Sequence, residues 1–405
     1  MNNQERIQAR ILRSKAKREE RRRAKIEEYG RFCKVISQQS FHKSLKRRKR
    51  NTDWKGSVQR YIQHAIVKIK RSVESAEKGI LDVNQTPCPL TIVERGKRRD
   101  CKAVMMDTRV IQGAVCESGI SPLVGASLIY DNPASTKGKG VDHARRRIMK
   151  QLKDTIKRVG HEFYILTYDF KNFFGSLKHS LCLECLKKAG FDDRLQDFTM
   201  KLIKMYHLQD ILLVKDPEER ERLTQELNDN KSCGATLGSQ ISQDLAKVFP
   251  NRLDHRIKDV EGVKPYIRYM DDGELQSERK EKLWELLKII AEECEKSGLT
   301  LNMKKTKITK STKGFVFLKI RYTVTQTGGI VRQMARDGFI RMRRKLKKFR
   351  KRVDKGMMKL KDVFNSFKSW FGNAKRNAKT YRSRKRMLNY YNKLFNCYKT
   401  GGMVA

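Results

Sequence analysis

Apolar and polar positions divide the chain into short strands and amphipathic helices. The run YILTYDF (164–170) contains apolar, threonine and aromatic residues around a single acid, and it predicts a buried strand. PYIRYMDDGELQ (265–276) predicts a hairpin with two acids at its tip. Helices are predicted over residues 54–75, 107–120, 141–160, 179–190, 239–258 and 278–297. Helices interspersed with antiparallel hairpins indicate an α+β fold.

Two further hairpins and two polar stretches complete this pattern. TIVERGKRRDCKAV (91–104) predicts strands on either side of a turn at Gly96, after a turn-rich stretch around Pro87 and Pro89. GFVFLKIRYTV (314–324) predicts a strand that pairs with IVRQM (330–334). Residues 130–140 are rich in Pro, Ser and Gly, which predicts a loop. Residues 216–230 form a polar, charged insertion between the apolar segments.

Both ends of the chain predict basic helices. Residues 4–28 contain no Gly or Pro and mix Arg and Lys with Glu at helical spacing. Residues 338–400 are also helical in pattern, and aromatic residues alternate there with basic ones. The exposed basic faces of these helices are suited to a nucleic-acid backbone, whereas neither end has the large apolar face that membrane anchoring requires.

The charge of the chain supports a nucleic-acid partner and is concentrated at these ends. The 405 residues carry a formal net charge of +47. Residues 1–50 hold 18 Lys and Arg against 5 Asp and Glu, and residues 331–405 hold 24 against 3. The ends therefore contribute +13 and +21, and they are expected to bind phosphate backbones while the middle folds as an enzyme.

The cysteines and the hydropathy of the sequence indicate where in the cell the protein is located. The nine cysteines are scattered, and the sequence has no signal peptide or long apolar run, so we expect a cytoplasmic protein that does not enter membranes. Cys182 and Cys185 form a CxxC, but no second pair lies at zinc spacing. We therefore interpret them as core thiols on one face of a helix.

Three acids provide the candidate chemistry. Asp271 and Asp272 are adjacent at a predicted turn, where their repulsion is costly unless a cation compensates it. Asp169 ends the predicted buried strand about 100 residues earlier, and an acid in that position also needs a partner. An isolated Asp-Asp turn on a surface hairpin would be an ordinary structural feature, but Asp169 makes a shared cation site the better interpretation.

Four motifs in order resemble those of the reverse transcriptase family, over residues 91–322. YDFKNFFGSLKH (168–179) is similar to the first palm motif of the family, and RYMDD (268–272) to its YxDD box. GLTLNMKKTK (298–307) is similar to the next motif, and GFVFLK (314–319) to the primer-grip hairpin. The resemblance implies a right-hand polymerase with fingers, an antiparallel palm and a helical thumb, which synthesises DNA on RNA.

The resemblance also implies how the site works. Asp169 and Asp271 would bind two Mg²⁺ ions, for which Mn²⁺ could substitute, and Asp272 would bind metal less directly. The backbone of Phe170 would face the ions. Phe174 matches the bulky position whose ring excludes a ribose 2′-hydroxyl, so the substrates would be deoxynucleoside triphosphates; ordinary core packing is the alternative for this ring.

Further substrate contacts follow from the same comparison. Arg99 corresponds to the arginine that binds the triphosphate, with Lys97 adding charge and Arg98 as the alternative register. Lys305, or else Lys304, would donate a proton to the leaving pyrophosphate. In LGSQISQ (237–243), Gly238, Ser242 and Gln243 would hold the template base and the incoming nucleotide.

Domain limits and biological roles remain hypotheses at this point. We expect a basic extension (1–54), fingers (55–160), a palm containing YMDD (161–325) and a basic helical thumb (326–405). The form GxxxSQ is typical of enzymes of diversity-generating retroelements and of some relatives in anti-phage defence, both bacterial or phage systems. In the first role the partner is a template RNA copied with errors at adenines; in the second, DNA is made on a non-coding RNA or without a template.

The expected partners are therefore a template or non-coding RNA, an RNA–DNA hybrid and deoxynucleoside triphosphates, with an accessory protein or a second copy of the chain in addition. A hypothesis of another class is an RNA-binding scaffold with a silent polymerase core. Every acid that the chemistry requires is nevertheless present in the sequence.

Overall fold

The computed structural model describes residues 3–81, 87–94, 97–377 and 381–395. Its helices are α1 (Asn3–Tyr29), α2 (Phe32–Val35), α3 (Gln38–Arg48), α4 (Gly56–Gln63), α5 (Ala65–Glu77), α6 (Met106–Val115), α7 (Ser121–Val124), α8 (Val141–Val159), α9 (His179–Ala189), α10 (Asp193–Leu212), α11 (Pro217–Asn228), α12 (Gln240–Val248), α13 (Asn251–His255), α14 (Lys280–Lys296), α15 (Arg336–Asp354), α16 (Leu360–Asn377) and α17 (Tyr381–Phe395). Its strands are β1 (Cys88–Glu94), β2 (Lys97–Ala103), β3 (Tyr164–Lys171), β4 (Tyr266–Tyr269), β5 (Asp272–Ser277), β6 (Thr300–Leu301), β7 (Lys307–Lys310), β8 (Phe315–Phe317), β9 (Ile320–Val324) and β10 (Ile330–Met334). This combination of helices with antiparallel sheets confirms the predicted α+β class.

The central sheet has five strands. The acids Asp169, Asp271 and Asp272 lie near the C-terminal end of its middle strand, β3. β3 pairs antiparallel with β5 on one side and with β6 and β7 on the other, and β4 completes the sheet beyond β5. The register aligns Asp169 with Asp272. The sheet forms because β3 is apolar on both faces, with Ile165 and Leu166 fully buried.

One large apolar core joins this sheet to the helices before and after it. Phe41 and Leu45 of α3 lie in that core, together with Ile69 of α5 and Ile111 of α6. α3 packs on α6, and the Ser44 hydroxyl donates a hydrogen bond of 2.8 Å to the Val110 carbonyl. The segment from α2 to α3 is therefore part of the folded body, whereas the long basic helix α1 contacts it mainly through Ile26 and Tyr29.

Two smaller cores stabilise the C-terminal part. β8, β9 and β10 form a second antiparallel sheet, which packs on α8 through residues such as Ile148 and Tyr322. α15, α16 and α17 form a helical unit around Phe367, whose ring stacks on Tyr391 with centroids 4.4 Å apart. No helix among the described residues is long and apolar enough to cross a membrane.

Local predictions were wrong at four places. The single strand predicted over 314–324 is divided by left-handed residues Leu318 and Lys319 into β8 and β9, which pair with each other. The helix predicted over 54–75 is broken at His64 into α4 and α5, and the helix predicted over 239–258 is interrupted at Pro250, whose ring cannot continue a helix. Pro89 belongs to β1 and not to a turn. A proline is tolerated there because β1 pairs on only one side. The predicted turn at Gly96 lies outside the described residues.

Substitution of Gly273 tests how tightly the central sheet is packed beside the acids. Gly273 aligns with Tyr168 across β3 and β5, and a Cβ at Gly273 would overlap the Tyr168 ring. That ring is fixed because its hydroxyl hydrogen-bonds the Tyr266 hydroxyl at 2.9 Å. We expect Gly273→Ala to lower the free energy of unfolding by about 1–3 kcal/mol, as measured by urea denaturation.

Gly372 provides the matched control for this substitution. It lies within α16, and no atom would approach its added Cβ. Gly372→Ala should therefore stabilise the protein by about 0.5–1 kcal/mol through helix propensity. Equal effects of the two substitutions would contradict the packing that we describe for the central sheet.

Candidate active site

The acidic pair occupies a two-residue turn between β4 and β5. Tyr269 ends β4 and Asp272 begins β5, so that Met270 and Asp271 form the turn. Met270 has φ +55°, a left-handed conformation that is uncommon for a residue with a side chain. The Phe170 N–H donates to the Asp271 carbonyl at 3.2 Å, which holds the turn against β3. The three acids thus meet at one end of the sheet.

Asp169 is buried and bound by two side chains from the segment after β6. The Lys305 ammonium donates to its Oδ2 at 2.6 Å, and the Asn302 amide donates to its Oδ1 at 3.2 Å. The Asn302 backbone N–H also donates to the Asp169 carbonyl at 2.8 Å. Both Lys304 and Lys305 are exposed, and the contact with Asp169 identifies Lys305 as the lysine at the acids.

The electrostatics of the cluster reflect its crowding. Burial is the main reason that the pKa of Asp271 is raised, and the charge of Asp169 adds to it. Burial, the charges of Asp271 and Asp169, and a hydrogen bond with Asp169 raise the pKa of Asp272 to about 7. Burial lowers the pKa of Lys305, but its hydrogen bond to Asp169 and the charges of the carboxylates raise it overall. The three carboxylates thus disfavour one another's ionised form, and the charge of Lys305 partly offsets this repulsion.

These residues match the hard oxygen ligands of a divalent cation in type, but not in their present arrangement. Among the described residues, no group of three or more His, Cys, Asp and Glu is arranged as a metal-ligand set. The Lys305 ammonium occupies Asp169 Oδ2 and supplies the compensating charge. A cation at Asp169 would therefore have to displace this ammonium.

The β1–β2 hairpin distinguishes the two neighbouring arginines. Arg98 faces away and pairs with Asp100, with 3.1 Å between Nε and Oδ1. Arg99 lies on the opposite face of β2 from Arg98, and its charge lowers the pKa of Asp271. Alternation along a strand explains the difference. The side chain of Lys97 lies outside the described residues.

Phe174 follows an abrupt turn after β3. Asn172 is left-handed, with φ +46°, and Phe173–Ser176 form one 3₁₀ turn. Phe174 is half-buried and meets Phe173 edge to face, with centroids 5.7 Å apart. The Ala235 N–H donates to the Phe174 carbonyl at 2.7 Å, so the backbone at Phe174 is fixed relative to the loop that precedes α12.

The residues of LGSQISQ are split between surface and interior. Gly238 has φ +104° and lies close to the Lys102 carbonyl of β2. Gln243 is exposed and lines, with Gly238, a cleft of about 910 Å³ that also contains Arg47 and Lys137. Ser242 is only 2% exposed, so it can support this motif only from within.

Sequence reasoning missed Asn302 and a buried pair, Arg268 and Asp254, next to the turn. Both members of this pair are fully buried. The sequence signal for this pair is Arg268 itself, an arginine inside an otherwise apolar and aromatic strand. A charge in such a strand requires a buried partner of opposite charge.

Comparison with known families identifies the class of protein. A model described as "Reverse transcriptase (RNA-dependent DNA polymerase)" matches residues 94–322, more than half of the chain. The chain therefore belongs to the reverse transcriptase family, a family of RNA-dependent DNA polymerases, as its motifs predicted. No curated protein sequence matches it.

Solved telomerase structures show limited similarity. Telomerase from Candida albicans, in complex with a TWJ fragment of telomeric RNA, is 13% identical over 79% of this chain and 56% of that chain, with a TM-score of 0.43. Apo telomerase from Candida tropicalis is 12% identical over 64% of this chain and 52% of that chain, with a TM-score of 0.39. The chain thus spans about half the length of these telomerases.

Proposed function

We propose that this protein is an RNA-directed DNA polymerase that joins deoxynucleotides on an RNA template. The observation that carries the proposal is the alignment of Asp169 with Asp272 across β3 and β5, with Asp271 in the adjoining turn. Family membership supports it. The expected division into extension (1–54), fingers (55–160), palm (161–325) and thumb (326–405) belongs to the same proposal.

Asp169 and Asp271 would hold two Mg²⁺ or Mn²⁺ ions, with Asp272 and the backbone of Phe170 beside them. Such ions, when bound, activate the attacking 3′-hydroxyl and neutralise the leaving pyrophosphate. Asp272 shapes the site by adding negative charge near Asp169. Lys305 would donate a proton to the pyrophosphate oxygen once its ammonium is released from Asp169, because that release removes the hydrogen bond that raises its pKa.

Other side chains would bind the substrates. Arg99 and Lys97 would hold the triphosphate, and Phe174 would contact the sugar. Gly238 and Gln243 would contact the template base pair, with Ser242 supporting them. The basic helices would bind the RNA template and the RNA–DNA hybrid, so binding should weaken steeply with salt.

The first test is incorporation by the wild-type protein in the presence of Mg²⁺. A DNA primer annealed to poly(rA) should be extended with dTTP, and chelation of metal with EDTA should abolish extension. The same primer on poly(dA), and the primer without template, are the comparison substrates. Absence of incorporation on all of them would favour a binding scaffold, and extension without template would favour an untemplated transferase.

We further propose that the template belongs to a diversity-generating retroelement of a bacterium or phage, in the cytoplasm. The GxxxSQ form of residues 238–243 supports this role; anti-phage defence, with templated or untemplated DNA, is the alternative, and an accessory protein or a second copy would assist in either. The test is to sequence RNA and DNA bound to the protein in its own host, beside the Asp271→Ala variant. Copies of one RNA with mismatches at adenines, absent from the variant, are expected; faithful or template-free DNA would support defence instead.

A further inference from the structure

Arg268 is a fully buried cation one residue before the Tyr269–Asp272 turn. It lies on β4 between Ile267, which is also fully buried, and Tyr269. A charge inside a protein is costly unless its hydrogen-bonding groups are satisfied by well-placed partners. The partners of this guanidinium therefore indicate what it does.

One edge of the guanidinium is held by Asp254 of α13. Nε donates to Asp254 Oδ1 at 2.7 Å, and Nη2 donates to Oδ2 at 2.6 Å. Asp254 is fully buried and also accepts from the Tyr266 hydroxyl at 2.7 Å and from the Asn132 amide at 3.3 Å. This bidentate arrangement fixes the plane of the guanidinium.

The remaining donors point to two backbone carbonyls. Nη1 donates to the Met270 carbonyl at 2.9 Å, and Nη2 donates to the Lys247 carbonyl at 2.8 Å. Met270 is the left-handed residue of the turn, and Lys247 lies near the end of α12. One side chain thus connects the turn that carries Asp271 with the helix that follows Gly238.

We propose that Arg268, oriented by Asp254, is a positioning residue that holds the Met270–Asp271 turn in register with α12. This inference rests on the proposed polymerase function. The left-handed backbone of Met270 is unfavourable for a residue with a Cβ, and the bond to its carbonyl offsets part of this cost. Replacing a buried ion pair with apolar residues often costs no stability, so precise placement of Asp271 explains this pair better than stability does.

The test is Arg268→Lys in the full-length protein, assayed by extension of a DNA primer on poly(rA) with dTTP. Lysine retains the charge but cannot reach Asp254 and both carbonyls at once. We expect kcat to fall by about 10- to 100-fold, because displacement of a reacting group by about 1 Å can cost this much. The KM for dTTP and the Kd for primer–template should change by less than about 3-fold.

Arg256→Lys is the matched control. Arg256 pairs with Glu261 at 2.9 Å, and its side chain is 43% exposed. This variant should retain the kcat of wild type. A kcat for Arg268→Lys equal to that of Arg256→Lys would overturn the proposal, as would a loss confined to primer–template binding.

A second variant tests the proposal if Arg268→Lys does not fold. Arg268→Gln with Asp254→Asn removes both charges together, so no unpaired buried charge remains. Glutamine is too short to reach the Met270 carbonyl, and we expect the same fall in kcat at a melting temperature near wild type. If neither variant folds, the pair is a stability element and the positioning role is overturned. Inactive wild-type protein would instead refute the proposed function.

Discussion

Asp271→Asn should reduce primer extension by about 1000-fold without destabilising the protein. The activity should fall because metal-ion stabilisation of the transition state contributes several kcal/mol, and about 1.4 kcal/mol corresponds to each factor of ten. The measurement is the single-turnover rate of dTTP addition to a DNA primer on poly(rA), together with thermal unfolding of the same preparation.

The effect on stability follows from the sign of the pKa shift. Burial and the charge of Asp169 raise the pKa of Asp271, so the folded state disfavours the ionised carboxylate relative to the unfolded state. This penalty is absent below the unfolded-state pKa, and it grows as the pH rises towards the folded-state value. At neutral pH the neutral asparagine removes the penalty, and Tm should equal or exceed that of wild type.

Asp53→Asn controls for the change in net charge, since Asp53 is exposed between α3 and α4. It should leave both the rate and Tm unchanged. A variant at Asp271 that retained wild-type activity would remove this residue from the catalytic role. A large drop in its Tm would show that the carboxylate serves to stabilise the turn.

Two parts of the central sheet could be predicted from the sequence because apolar residues and acids mark them clearly. β3 appears as a run of apolar and aromatic residues that ends in an acid, and the hairpin of β4 and β5 surrounds two adjacent acids. The break at His64 could not be predicted in this way. The apolar spacing continues across it, and only tertiary packing decides where α4 ends and α5 begins.

Which side chains reach the acids depends on the direction in which each one points. The spacing of residues along the sequence does not predict that direction. Arg98 and Arg99 are identical residues next to each other in the sequence. On β2 their side chains point to opposite faces, and Arg99 is the one whose charge acts on Asp271. The sequence alone does not decide whether Lys304 or Lys305 reaches the acids. In the structure, the turn after β6 places the Lys305 ammonium on Asp169. The partnership of Arg268 with Asp254 joins residues 14 positions apart through a buried bond, and no local pattern marks the acid as its partner.

Phe174→Val should let the polymerase accept ribonucleotides, with discrimination against them falling by about 100-fold. In the proposed site the Phe174 ring fills the space that a ribose 2′-hydroxyl would occupy, and a misfit of one such group is worth about 1–3 kcal/mol. The ring can exclude this group only if it cannot move away. Its contact with Phe173 and the bond between the Ala235 N–H and the Phe174 carbonyl provide this restraint.

The measurement is the ratio of kcat/KM for dTTP to that for UTP on the same primed poly(rA). Valine should lower this ratio mainly by raising kcat/KM for UTP, because removing bulk relieves a clash and leaves the contacts of the deoxynucleotide in place. Phe364→Val is the control, since this half-buried ring lies on α16, away from β3. It should leave the ratio unchanged. An unchanged ratio in Phe174→Val would assign Phe174 to core packing and leave the choice of sugar to another residue.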